Sequence, residues 1–114
     1  MQAMPTSPAY LGEFEQLVLL AVLQCGEAAD TVSVRHALVS RAGRQVARGA
    51  LFTALDRLET KGMVRSRLGP PVVERGGRAR RHYAVTTPGV HAQRAARAAV
   101  AGLSQGLEAV LGRP

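Results

Sequence analysis

The chain has no tryptophan, two phenylalanines, two tyrosines and a single cysteine in 114 residues. One cysteine excludes a disulfide-stapled secreted scaffold. The longest apolar run, Leu17 to Leu23, is far short of the roughly 20 residues that a membrane-spanning helix needs. The first residues lack a basic region followed by an apolar stretch, so no signal peptide is expected and a cytoplasmic location is. The length excludes a large multidomain enzyme and allows one small domain. His36, His82 and His91 are scattered, and with Cys25 as the only thiol they make no metal site within one chain. No Ser-His-Asp arrangement, carboxylate pair or phosphate-cradling glycine motif is present, which argues against an enzyme and calls for no cofactor. Cys25 reads as a core cysteine rather than a redox sensor.

What is present is apolar content sufficient for a core, at 46% of residues, and an excess of positive charge, +7 overall. The charge is unevenly placed. Residues 1–34 carry Glu13, Glu15, Glu27 and Asp30 and no base; residues 35–97 carry fourteen bases and three acids; residues 98–114 carry only Glu108 and Arg113. Lys61 is the only lysine. A concentrated basic stretch attracts polyanions, and arginine forks match phosphates and guanine edges two-pronged. An arginine-rich genome composition accounts for part of the arginine-for-lysine choice but not for the clustering.

Residues 1–9, with Pro5 and Pro8, read as a flexible arm. From Gly12, the positions Phe14, Leu17, Val18 and Val22, widened by Leu20 and Leu23, predict a nearly fully buried helix ending at Cys25-Gly26. Glu13 and Glu15 suit its first turn. Thr31 or Ser33 caps a second helix reaching Ala42, with Val34, Ala37, Leu38 and the Arg41 stem inward and Gly43 as its stop. A third helix spans about Ala47 to Lys61. Leu51, Ala54, Leu55 and Leu58 form its apolar stripe, leaving Arg48, Phe52, Thr53, Asp56 and Arg57 outward. Met63–Leu68 and Arg81–Val85 alternate as short strands, separated by Gly69-Pro70-Pro71 and a bend at Gly76-Gly77. Thr87 is expected as the next cap, with Pro88 first in a last helix running to Leu111. So long an apolar helix on so small a domain calls for a second chain. Gly102 and Gly106 either weaken it or permit close helix approach.

Three helices, a two-stranded hairpin and a terminal helix give a mainly α fold with a small β-hairpin. It is a winged helix-turn-helix over residues 10–86 with a dimerisation helix over 87–114. In that order of elements the third helix enters the major groove, the second braces it, and the basic hairpin grips the adjacent backbone or groove. The segments Leu11-Gly12-Glu13-Phe14-Glu15, Gly49 to Glu59 followed by Lys61-Gly62-Met63-Val64, Glu74 to Tyr83 through Arg78-Ala79-Arg80-Arg81, and Thr86-Thr87-Pro88-Gly89 occur in sequence. Together they resemble the PadR family of bacterial transcriptional regulators over roughly residues 10–100, and its shorter members with one C-terminal helix in particular. The resemblance implies a homodimer that represses transcription from a near-palindromic operator on double-stranded DNA, often released by a small-molecule effector. Phe52 stands where the family usually has tyrosine; it keeps the ring and loses the hydroxyl, so it is expected to act by packing. The absence of tryptophan removes the drug-sandwiching mode of some relatives.

The DNA-contacting set expected on this basis is Arg48, Gly49, Phe52, Thr53 and Arg57 on the third helix, with Arg75, Arg78, Arg80 and Arg81 on the wing. Arg57 either faces DNA or pairs with Asp56 or Glu59, and Gly49 either admits the DNA backbone or is simply a weak helix position. Strand alternation sets Arg81 with Tyr83 and Arg80 with His82, so only some wing arginines can point at DNA. Phe14, Leu17, Leu103 and Leu107 are the candidates for an effector cavity or a plain packed dimer interface. Two other readings of the same charge are a nucleic-acid binder without sequence choice and a winged-helix docking module for an acidic protein.

Overall fold

The computed structural model describes residues 10–71 and 79–113. The expected N-terminal arm, the Gly76-Gly77 bend and the wing candidates Arg75 and Arg78 lie outside them. The elements follow in the order α1 (Glu13–Cys25), a single 3-10 turn (Gly26–Ala28), α2 (Thr31–Ala42), α3 (Arg48–Thr60), β1 (Val64–Pro71), β2 (Ala79–Val85), α4 (Thr87–Ser104) and α5 (Glu108–Leu111). No helix among the described residues is long and apolar enough to cross a membrane.

The core is the meeting of three helical stripes. Val18, Leu19 and Val22 of α1, Val34 and Leu38 of α2, and Leu51, Leu55 and Leu58 of α3 are fully buried, closed on one side by Val64 and Tyr83 of the hairpin. Burying each large aliphatic side chain contributes roughly 1.5–3 kcal/mol, so the stripe on α3 alone holds that helix firmly in one rotation. Leu20 and Leu23 depart from expectation: they are exposed, on the part of α1 that α2, α3, β2 and α4 leave uncovered. Cys25 is half-buried against the same cluster.

The caps differ from the expected ones. Asp30, not Thr31 or Ser33, caps the start of α2: its Oδ1 accepts the Ser33 N–H at 2.8 Å while the Asp30 N–H donates to Ser33 Oγ at 3.0 Å. This reciprocal box satisfies two donors at once. At the other end Gly43 takes the left-handed conformation, φ 62°. Thr86, not Thr87, caps α4 by accepting the Gly89 N–H at 3.1 Å, and Pro88 follows in the first turn.

The hairpin is antiparallel, with Val64 opposite Val85, Ser66 opposite Tyr83 and Arg67 opposite His82. The expected break at Gly69-Pro70-Pro71 is instead an irregularity inside β1, where the register shifts between Leu68 and Pro71. Proline is tolerated there because β1 pairs on one side only. Beyond β2, the Tyr83 N–H donates to the Ala29 carbonyl at 2.9 Å, so the segment before α2 runs alongside the sheet.

The last helix is not continuous to Leu111. Gln105 leaves helical geometry and Gly106 adopts φ 87°, after which α5 makes one turn. A positive φ there costs glycine nothing, which is why the chain breaks at that point. The start of α4 belongs to the core: Gly89 and Gln93 are buried and Ala92 packs on the cluster.

Gly89 marks the tightest approach. A Cβ there would collide with the Met63 carbonyl oxygen and press on Val85 Cγ1, and that carbonyl already accepts the Thr86 N–H. Gly89→Ala should therefore lower stability by about 1–3 kcal/mol through overpacking, read as a lowered urea midpoint. Gly49→Ala, whose Cβ meets nothing within 4 Å, should leave the midpoint unchanged or raise it.

Candidate nucleic-acid interface

Since Leu51, Ala54, Leu55 and Leu58 point inward, the remaining face of α3 is turned to solvent. Arg48, Gly49, Phe52, Thr53, Asp56 and Arg57 are all exposed, Phe52 by 59%. The start of α3 has no side-chain cap, since the N-cap position is Ala47. Its first-turn N–H groups are therefore free to meet an anion, and the helix dipole favours one.

A cleft of about 450 Å³ opens between the starts of α2 and α3 and strand β2, lined by Arg48, Gly49, Phe52, Arg80, Arg81 and Tyr83 on one side and Asp30, Thr31 and Val32 on the other. Five of the residues singled out in the sequence thus converge on one concave surface. Thr53 and Arg57 lie on the exposed face of α3. The α2 contribution was not foreseen. Asp30 was read only as one of the acids of the first third, and its position across from the wing depends on the tertiary packing.

The cations differ in how far they are already engaged. Arg44 pairs with Glu13 at 2.6 Å and lies 6.0 Å from the Phe14 ring centre. Lys61 binds Glu15 at 2.8 Å and the Tyr10 carbonyl at 2.7 Å. Arg80 Nη1 meets Asp30 Oδ2 at 2.7 Å. Among the described residues Arg48, Arg57 and Arg81 enter no ion pair, and Arg57 does not pair with Asp56 or Glu59. Arg81 Nη1 donates to Ser66 Oγ at 2.9 Å, and that hydroxyl donates to the Glu59 carboxylate. This chain ties the root of the wing to the last turn of α3. Arg65 and Arg67 are exposed, on the opposite face of β1 from Ser66.

The four effector candidates are not brought together within one chain. Phe14 and Leu17 are half-buried against the core. Leu103 is 83% exposed and Leu107 45% exposed. Leu17 lines a groove between α1 and α2, and Leu107 a separate one across the α4–α5 break.

A three-helix core with an outward third helix and a docked hairpin defines the winged-helix DNA-binding class. The family described as "Transcriptional regulator PadR-like family" matches residues 19–95, and the chain belongs to it. Solved structures share the fold. A PadR family transcriptional regulator from Eggerthella lenta DSM 2243 is 24% identical, with TM-score 0.67 over 90% of this chain and 88% of that one. A PadR family transcription regulator from Clostridium difficile R20291 is 16% identical, with TM-score 0.68 over 87% and 99%. A transcriptional regulator from Clostridium thermocellum is 14% identical, with TM-score 0.66 over 84% and 90%. No curated protein matches the chain.

Two ionisable groups of the cleft are shifted. Burial pushes the Asp30 carboxyl up, but the Ser33 N–H, the Arg80 guanidinium and the Ser33 hydroxyl outweigh it and hold it below its ordinary value of 3.8. Burial raises the Tyr83 phenol, against the opposing pull of Arg81, so it faces the cleft neutral. A lowered carboxyl pKa means that the unfolded chain binds more protons in that window. The Asp30 contribution is therefore present above about pH 4 and is lost as pH falls through the ordinary value toward the folded one. Urea midpoints taken from about pH 7 down to about pH 3 should fall on the acid side, and the fall should be shallower in Asp30→Asn.

Proposed function

We propose that the protein is a sequence-specific DNA-binding regulator that represses transcription as a homodimer on a near-palindromic operator. Each α3 lies in a major groove, with half-sites about one helical turn apart. The observation that carries this reading is the cleft in which the uncapped start of α3, with Arg48 and Gly49, faces Arg81 of the wing. A DNA backbone seated there would meet free N–H groups and guanidinium forks from two elements at once. Thr53 and Arg57 then reach base edges or the far phosphates, Phe52 packs against sugar or base, and Arg75 and Arg78 extend the grip along the wing.

Dimerisation is supported by the far end of the chain. Val100, Leu103, Val110 and Leu111 are 60–83% exposed, an apolar surface that a second copy would cover. The same pairing is needed to set Leu103 and Leu107 against Phe14 and Leu17 of a partner, and an effector that releases DNA would bind along that seam.

Fluorescence anisotropy over excess competitor DNA tests the reading. Duplex from upstream of the protein's own gene should bind at least a hundredfold more tightly than a scrambled duplex, about 2.7 kcal/mol. Equal binding that collapses with salt would replace this reading with a non-specific grip; no binding would favour a docking module. Arg48→Ala and Arg57→Ala should each weaken binding, and the log–log salt slope should fall by about 0.9 for each phosphate left without its arginine. The double variant Leu103→Asp, Leu107→Asp should sediment as a monomer and lose at least tenfold in operator affinity; an unchanged dimer mass would rule out this interface.

A further inference from the structure

We propose that Asp30 and Arg80 form a latch that fixes the wing relative to α3 and thereby sets sequence selectivity, with Arg80 a positioning residue and not a DNA contact. The inference rests on the DNA-reading role proposed above.

Asp30 is one of two buried polar residues among the described residues. Its two carboxylate oxygens are divided between elements: Oδ1 accepts the Ser33 N–H at 2.8 Å and Oδ2 accepts Arg80 Nη1 at 2.7 Å. One carboxylate therefore begins α2 and holds β2, fifty residues further on. The neighbouring residue makes a second tie, the Tyr83 N–H to the Ala29 carbonyl at 2.9 Å. On the other edge of the hairpin, Ser66 of β1 is bonded to Glu59 of α3 through both its N–H and its hydroxyl. The root of the wing is thus held from two sides, by α3 directly and by α2 through Asp30.

The charge balance keeps Arg80 at this post. The pair is electrically neutral, so it adds nothing to the attraction of DNA. A phosphate that drew Arg80 away would leave a buried carboxylate without its cation, facing a polyanion. The Asp30 side chain is 7% exposed and that of Arg80 39%, so the cost of separation falls on the carboxylate, and solvent at the guanidinium reduces it. The Arg80 Nε is buried and has no hydrogen-bond partner, so among the described residues the guanidinium is held by its Nη1 bond to Asp30. Arg48 and Arg81, free of ion pairs on the same cleft, can take phosphates without such a cost. Selectivity requires α3 and the wing to engage one duplex at one mutual angle, whereas backbone attraction tolerates many. Loosening the latch should therefore erode discrimination and leave general affinity in place.

The double variant Asp30→Asn, Arg80→Gln keeps the net charge and tests this directly. Its affinity for the upstream duplex should fall at least tenfold, with scrambled-duplex affinity within about twofold and the salt slope unchanged, because every phosphate keeps its partner. Equal weakening on both duplexes with a slope reduced by about 0.9 would make Arg80 a phosphate contact and overturn the proposal. Asp30→Asn alone should free Arg80, raising scrambled-duplex affinity and steepening the slope; an unchanged slope would count against the latch. Hydrogen exchange at the Tyr83 amide, measured without DNA, should quicken in the double variant while amides of Leu55 and Leu58 stay protected. Wild-type protection at Tyr83 in that variant would sink the latch. If the native protein shows no duplex preference, the operator reading fails, while the salt slope on scrambled DNA and the Tyr83 exchange still decide the latch.

Discussion

The burial of one stripe on α3 constrains the rest of the molecule. Leu51, Leu55 and Leu58 are withdrawn completely from water, and a rotation of the helix by even a quarter turn would expose some of them. That cost orients the opposite face as well. Arg48, Phe52, Thr53 and Arg57 face solvent because of where the leucines go, not through contacts of their own. A helix with its outer face so fixed is a rigid element that can be docked into a groove as a unit.

Charge is distributed on top of this frame by pairing. Along the chain, the acids of the first third and the bases of the middle form two separate blocks. In three dimensions they meet: Glu13 takes Arg44, Glu15 takes Lys61 and Asp30 takes Arg80. The first two pairs are part-exposed and contribute little to stability, on the order of 0–1 kcal/mol each. Their effect is rather on the field, since they neutralise cations near the α1 start and leave Arg48, Arg57 and Arg81 as positive groups outside any ion pair among the described residues, on and beside α3.

The wing depends on small-residue and backbone contacts as much as on charge. Thr86 caps α4, its hydroxyl reaches the Gly62 carbonyl at 2.6 Å, and Gly89 lets that first turn press onto Met63. The Thr86-Thr87-Pro88-Gly89 segment is therefore a tightly packed junction between hairpin and helix. Beyond it, the exposed apolar residues of α4 and α5 are covered by nothing among the described residues, so the chain is well packed at one end and presents an open apolar surface at the other.

Helix periods, glycine stops and strand alternation were legible along the chain because each is a local consequence of side-chain spacing. The outward set on α3 followed from them at once. The exposed Leu20 and Leu23, by contrast, read as core, since periodicity reports an apolar face but not how many neighbours cover it. The break at Gly106 was visible only as weakness, and Gly69-Pro70-Pro71 read as a strand end because the unpaired outer edge of β1 is a property of the sheet. By itself the sequence determined the order of three helices, hairpin and following helix, the inward and outward faces of α3 and the excess of arginine. Only the tertiary structure decided which arginines are already engaged and that Asp30 faces Arg80, because an ion pair across fifty residues exists only once both segments are packed against the same core.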